Sequence, residues 1–278
     1  MTPRSLYLTL AGLEVHVSAW GDRDAPALVM WHGLARHGRD FDTAARHFAG
    51  RFRVLCPDTI GRGLSAWSPE PARDYTIPTY CRQALELLDQ LGIERCAWVG
   101  TSMGGLVGMG LAGTEAGRHR ISRLVLNDIA PRLNAAAIER IKAYVSVVPD
   151  FATMAEFEQF LRAVYVPFGA LSDDEWRAMA ETSARRRDNG RLSCHYDPAV
   201  MRVFADSFDD FDMWDVYDAI SCPVLALRGE ASDLVERAVA EDMSRRGPRA
   251  ELVHVQGCGH APYLNTPGQL AVLDRFLG

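Results

Sequence analysis

Gly100-Thr101-Ser102-Met103-Gly104 sets a serine in a G-x-S-x-G pattern. It follows a strand-like apolar run, Cys96–Val99 (CAWV), and precedes a helical run from Leu106. Strand, sharp turn and helix form the setting a serine nucleophile needs. The turn forces a strained serine backbone, so the residues two positions to either side must be small. Gly100 and Gly104 meet that demand, while Gly105 and Gly108 let the helix approach a sheet. The Met103 amide, at the helix start, can stabilise a developing oxyanion. A serine hydroxyl also needs a base, and the base an orienting group. Gly257-Cys258-Gly259-His260-Ala261-Pro262 offers His260 in a glycine-flanked loop after the strand-like Glu251–Val255. Arg228-Gly229-Glu230-Ala231-Ser232-Asp233, after Val224–Leu227, offers a carboxylate that can accept the histidine Nδ1–H and stabilise its imidazolium. Asp233 is the expected acid, because Glu230 sits too close to the strand end. Asp128, after Leu124–Leu126, is the alternative acid.

These residues need a scaffold that brings strand ends together. Eight short β-type runs occur: Leu6–Leu10, Leu13–Ala19, Ala27–Trp31, Arg53–Cys56, Cys96–Val99, Leu124–Leu126, Val224–Leu227 and Glu251–Val255. The first two flank Ala11-Gly12 and are expected to form an antiparallel hairpin. The others are short, continuous and apolar, which suits strands covered by helices on both faces of a parallel sheet. Residues 78–91 carry Ala84, Leu85, Leu87, Leu88 and Leu91 on one helical face. Between Pro131 and about Asp215 only helical patterns are read, at Ala135–Val148, Met154–Val164 and Asp173–Arg187, with many aromatics. The expected division is a core of residues 1–130 and 216–278 and a helical cap of residues 131–215.

Composition excludes other classes. The net charge is −6, and the most basic stretch, Arg185-Arg186-Arg187, reads as a solvated helix end, so no nucleic-acid partner is expected. The six cysteines form no C-x-x-C pair, and Cys56, Cys96 and Cys222 lie in or beside apolar runs, as buried reduced thiols do. His254, Cys258 and His260 are close in sequence, but His254 lies within a strand and no second cluster appears, so no metal is expected. No run approaches the roughly 20 apolar residues that span a bilayer, and the first residues lack a signal-like stretch; the expected location is the cytoplasm.

The chain resembles the α/β-hydrolase superfamily, in its capped esterase and lactonase type, over essentially its whole length. The resemblance is carried by His32-Gly33, Asp58-Thr59-Ile60-Gly61-Arg62-Gly63-Leu64-Ser65, Gly100–Gly105, Arg228–Asp233 and Gly259-His260, in the order Ser…Asp…His. It implies an α/β-hydrolase fold: an eight-stranded, mostly parallel sheet with helices on both faces and a helical cap insertion. It implies Leu34 N–H as the second oxyanion donor beside Met103 N–H. Residues 58–65 resemble a structural turn that Asp58 and Arg62 fix. Some members take the acid from the earlier strand, which keeps Asp128 open.

The implied activity is cleavage of a carboxylic ester, lactone or thioester of a small to medium hydrophobic molecule through an acyl-enzyme on Ser102. No cofactor is implied, and the partner is the small-molecule substrate. Haloalkane dehalogenases and soluble epoxide hydrolases of this fold need an aspartate where Ser102 stands. Two alternatives share the scaffold. One is carbon–carbon bond hydrolysis of ring-cleavage diketones, whose members usually carry a longer Gly-Pro-Gly stretch where this chain has Leu34-Ala35-Arg36-His37-Gly38. The other is a ligand receptor built on a hydrolase fold.

Overall fold

Ala11 and Gly12 both take positive φ, 50° and 82°, the geometry of a two-residue turn whose twist matches that of its strands. The turn pairs β1 (Arg4–Leu10) antiparallel with β2 (Leu13–Trp20), Arg4 facing Ala19. This computed structural model describes residues 2–145, 150–205 and 211–278. The chain continues through β3 (Ala27–Trp31), α1 (Asp42–Phe48), β4 (Arg53–Pro57), α2 (Pro71–Asp74), α3 (Ile77–Gln90), β5 (Cys96–Thr101), α4 (Met103–Ala112) and β6 (Ile121–Asn127). Next come α5 (Ala135–Val145), α6 (Met154–Val164), α7 (Asp173–Ser183), β7 (Ala184–Arg186), β8 (Leu192–Cys194), α8 (Pro198–Ala205) and α9 (Trp214–Asp218). The chain closes with β9 (Val224–Gly229), α10 (Arg237–Met243), β10 (Glu251–Val255) and α11 (Pro267–Leu277).

Among the described residues eight strands form one sheet in the order β1-β2-β4-β3-β5-β6-β9-β10. Only the pairings of β2 are antiparallel, so the other strands run the same way and their C-terminal ends share one edge. β3 shows why continuous apolar runs suit this sheet. Val29 and Trp31 pack on the face covered by α3 and α4, whereas Leu28 and Met30 face α1 and α11. All five β3 residues are buried. On the α3/α4 face Trp31 stacks on Trp98, ring centroids 5.3 Å apart. α3 buries Ala84, Leu87 and Leu88 completely, as its apolar spacing requires. Among the described residues no helix is long and apolar enough to cross a membrane.

The segment between β6 and β9 differs from its reading over Asp173–Arg187. The helix expected over Asp173–Arg187 stops at Ser183, and β7 pairs antiparallel with β8. Asn189-Gly190 is the turn signal for that hairpin, with Gly190 at φ 79°. Arg185-Arg186-Arg187 is therefore strand and turn rather than a helix end. Its charges are engaged: Arg185 lies 4.1 Å over the Trp67 ring and Arg187 Nη2 donates to Ser193 Oγ at 2.7 Å. The helix expected over Ala135–Val148 is described as far as Val145; its last three positions lie outside the described residues.

This segment is fastened to the core at residues 58–65. Asp58 accepts hydrogen bonds from His16 Nδ1 at 2.9 Å, Gly38 N–H at 2.7 Å and Leu64 N–H at 3.0 Å. Gly63 has φ 54°, and a Cβ there would lie 2.3 Å from Asp58 Oδ2, so only glycine fits. The turn then offers its backbone outward. Gly63 N–H donates to His195 Nδ1 at 2.7 Å, and Gly61 C=O accepts from Asp197 N–H at 2.8 Å. His37 packs edge-on against His195 with centroids 4.3 Å apart.

Burial keeps His37, His195 and His32 neutral. It lowers His37 to about 3, with the Arg36 charge adding to the effect, pushes His195 well below the usual histidine range, and lowers His32 to about 4. In the unfolded chain these groups titrate near 6.5. Below that pH the unfolded state binds protons that the folded state refuses, so stability falls with pH by about 1.4 kcal/mol per unit for each such group. The urea midpoint should drop steadily as the pH is lowered from 6.5 toward 4. A midpoint that holds or rises over that range would contradict this burial account.

Candidate active site

Ser102 is the residue between β5 and α4, with φ 51° and ψ −116°, a region non-glycine residues rarely occupy. Its surroundings enforce the conformation. A Cβ on Gly100 would lie 2.2 Å from Gly104 C=O, and one on Gly104 would lie 2.0 Å from Trp31 C=O. Gly105 and Gly108 are equally confined, by Ile129 and Trp98. The Ser102 N–H donates to Asn127 C=O at 3.0 Å, which ties the turn to the end of β6. α4 begins at Met103, so the Met103 amide is among those with no carbonyl of its own helix to bond.

Ser102 Oγ–H donates to His260 Nε2 at 3.0 Å. His260 Nδ1–H donates in turn to Asp128 Oδ2 at 2.7 Å. Asp128 follows β6 at φ 52°, a conformation that aspartate tolerates better than most residues. Its carboxylate is buried and accepts two further bonds, from Gly229 N–H at 2.8 Å and Ser232 Oγ–H at 2.7 Å. The His260 loop is held by Asn127, whose Nδ2 donates to Pro262 C=O at 2.8 Å.

The loop after β3 closes the other side. A Cβ on Gly33 would lie 3.6 Å from Ser102 Cβ, so this backbone runs against the serine. His32 donates from Nδ1 to Gly33 C=O at 2.7 Å and accepts Thr59 N–H on Nε2 at 2.9 Å. Arg62 donates from Nε to Leu34 C=O at 3.0 Å and from Nη1 to Ile60 C=O and Tyr80 Oη. These bonds set the orientation of the Leu34 peptide. Ser102, His260, Leu34 and Met103 all line one cavity of about 760 Å³. Ile138, Ile141, Val164, Tyr165, Phe204 and Phe211 contribute apolar wall from the segment between β6 and β9.

A family model described as alpha/beta hydrolase fold matches residues 26–267. The chain belongs to the α/β-hydrolase family. It is 38% identical over 267 residues to the 3-hydroxybutyrate-oligomer hydrolase of Cupriavidus necator, covering 92% of this chain and 90% of that one. It is 29% identical over 257 residues to a pimeloyl-[acyl-carrier protein] methyl ester esterase of Aromatoleum aromaticum, covering 89% and 96%. Among solved structures, an α/β hydrolase from Novosphingobium aromaticivorans matches with a TM-score of 0.89 and 34% identity, covering 99% of this chain and 98% of that one.

In this α/β hydrolase the expected acid, Asp233, is not at the histidine. Its half-exposed carboxylate pairs with Arg140 of α5 at 2.5 Å. The reason lies in Arg228, a buried cation the sequence reading did not single out. Arg228 donates to the carbonyls of Gly229, Glu230, Ser232 and Val235, at 2.8 to 3.0 Å, and winds residues 229–235 around its guanidinium. That winding turns Ser232 inward to Asp128 and leaves Asp233 facing α5. Ser232 is a second residue missed, although it stood in the same motif. Asp128→Asn should cut ester turnover by at least about a thousandfold, because the histidine loses its tautomer and its counter-charge. Asp233→Asn should stay within about threefold, since an exposed ion pair contributes little. Comparison of kcat for the two variants checks this, and the reverse order would return the acid to Asp233.

Proposed function

We propose that this chain hydrolyses carboxylic esters through an acyl-enzyme on Ser102. The observation that carries the reading is the unbroken run of hydrogen bonds from Ser102 Oγ to His260 and on to Asp128. Ser102 Oγ attacks the ester carbonyl carbon while His260 Nε2 takes the hydroxyl proton. Asp128 holds Nδ1–H toward itself and stabilises the imidazolium. The amides of Leu34 and Met103 receive the charge that forms on the carbonyl oxygen, each worth roughly a hundredfold to a thousandfold in rate. His260 returns the proton to the departing alcohol. It then activates water, which attacks the acyl carbon and frees the acid and Ser102.

The residues between β6 and β9 act in this reading as a cap that roofs the cavity and excludes bulk water. A volume of about 760 Å³ suits a small to medium ester. The Cupriavidus and Aromatoleum relatives are both hydrolases, and the first acts on an oligomer of a short hydroxy acid. Short esters of hydroxy acids are therefore the proposed substrate class. Ser102→Ala should lower kcat on p-nitrophenyl butanoate by about four orders of magnitude or more with its melting temperature near that of the unaltered protein. Turnover within tenfold of the unaltered rate would overturn the acyl-enzyme.

A further inference from the structure

The loop that carries Leu34 continues into a buried ion pair within the same cavity. Arg36 N–H donates to Gly33 C=O at 3.2 Å, a turn that swings the Arg36 side chain back toward the pocket. Arg36 is only 4% exposed. Its Nε and Nη2 grip the two carboxylate oxygens of Asp40 at 2.7 and 2.5 Å. Its guanidinium lies 4.7 Å over the Tyr165 ring, so it can move little. Arg36 and Asp40 both line the cavity. Among the described residues Arg36 Nη1 donates no hydrogen bond.

A buried ion pair is weak evidence of stability, because desolvation offsets its attraction. One that leaves an N–H group without an acceptor, on a residue that lines an apolar pocket, asks for one. The charge balance says which kind. Arg36 is already neutralised by Asp40, so a carboxylate placed on Nη1 would leave one uncompensated negative charge among apolar walls. A neutral oxygen carries no such cost. A hydroxyl can also donate to Asp40 while it accepts from Arg36.

We propose that the Arg36–Asp40 pair is a specificity site that binds a second, uncharged oxygen, a hydroxyl or an ester carbonyl, on the substrate. The inference rests on the ester-hydrolase reading and names the residues that would select its hydroxy-acid class. A plain alkyl chain offers the Nη1 donors no acceptor.

Methyl 3-hydroxybutanoate and methyl 3-methylbutanoate are near-isosteres that exchange hydroxyl for methyl, and acid release from each can be followed in a pH-stat. The unaltered protein should favour the hydroxy ester in kcat/KM by at least about tenfold. Monomethyl glutarate, with its charged end, should be poorer than the hydroxy ester. In Arg36→Met/Asp40→Leu, which removes both charges together, the hydroxy-to-methyl ratio should fall toward one. Arg36→Lys, which keeps the charge but not the Nη1 position, should lower it as well. A ratio near one in the unaltered protein, a ratio unchanged in the variants, or glutarate as the best substrate would overturn the proposal. No hydrolysis of any ester, or hydrolysis that survives Ser102→Ala, would instead overturn the ester-hydrolase reading itself.

Discussion

One buried carboxylate holds the site together. Asp128 accepts from His260, from Ser232 and from the Gly229 amide, and so joins the loops that follow β6, β9 and β10. Those loops meet because their strands are parallel and end on one edge of the sheet. A carboxylate this deep is tolerable only when hydrogen bonds replace its hydration, and both of its oxygens are engaged. The same three bonds aim the carboxylate, and the carboxylate aims the histidine. The arrangement is therefore a matter of sheet topology before it is one of chemistry.

The serine is positioned by contact rather than by charge. Its left-handed backbone survives because β5, the start of α4 and the end of β3 approach to distances that exclude any side chain at Gly100 and Gly104. Strain of this kind persists where surrounding packing over-determines it, and here the packing includes the stacked Trp31 and Trp98. The buried neutral histidines do related work further out. His32 clamps the loop of Leu34, and His195 fastens the segment between β6 and β9 to the turn at residues 58–65. Cavity shape, donor orientation and acid lability thus arise from one set of buried contacts.

The eight sheet strands were legible because each is a short apolar run bounded by a turn, which is what burial on two faces demands. The serine turn was legible because sterics permit so few residues around it. The carboxylate that pairs with His260 was not. It depends on which side chains the loop at residues 229–235 points inward, and Arg228 decides that through contacts with backbone carbonyls that carry no residue-type signal. The hairpin of β7 and β8 was obscured because the α7 pattern runs on into a stretch of arginines, although Asn189-Gly190 marked its turn. Arg36 and Asp40 carry no motif, and only the fold brings them together beside Tyr165.

The central claim is that Ser102, His260 and Asp128 act as one unit. Covalent labelling tests it most directly, because it reports the reactivity of the serine without any assumption about the natural substrate. A fluorophosphonate should attach once per chain, with the added mass located by peptide mapping on Ser102. The rate of labelling should fall about a hundredfold or more in Asp128→Asn. Attachment at another residue, or labelling of Asp128→Asn at the unaltered rate, would contradict the account.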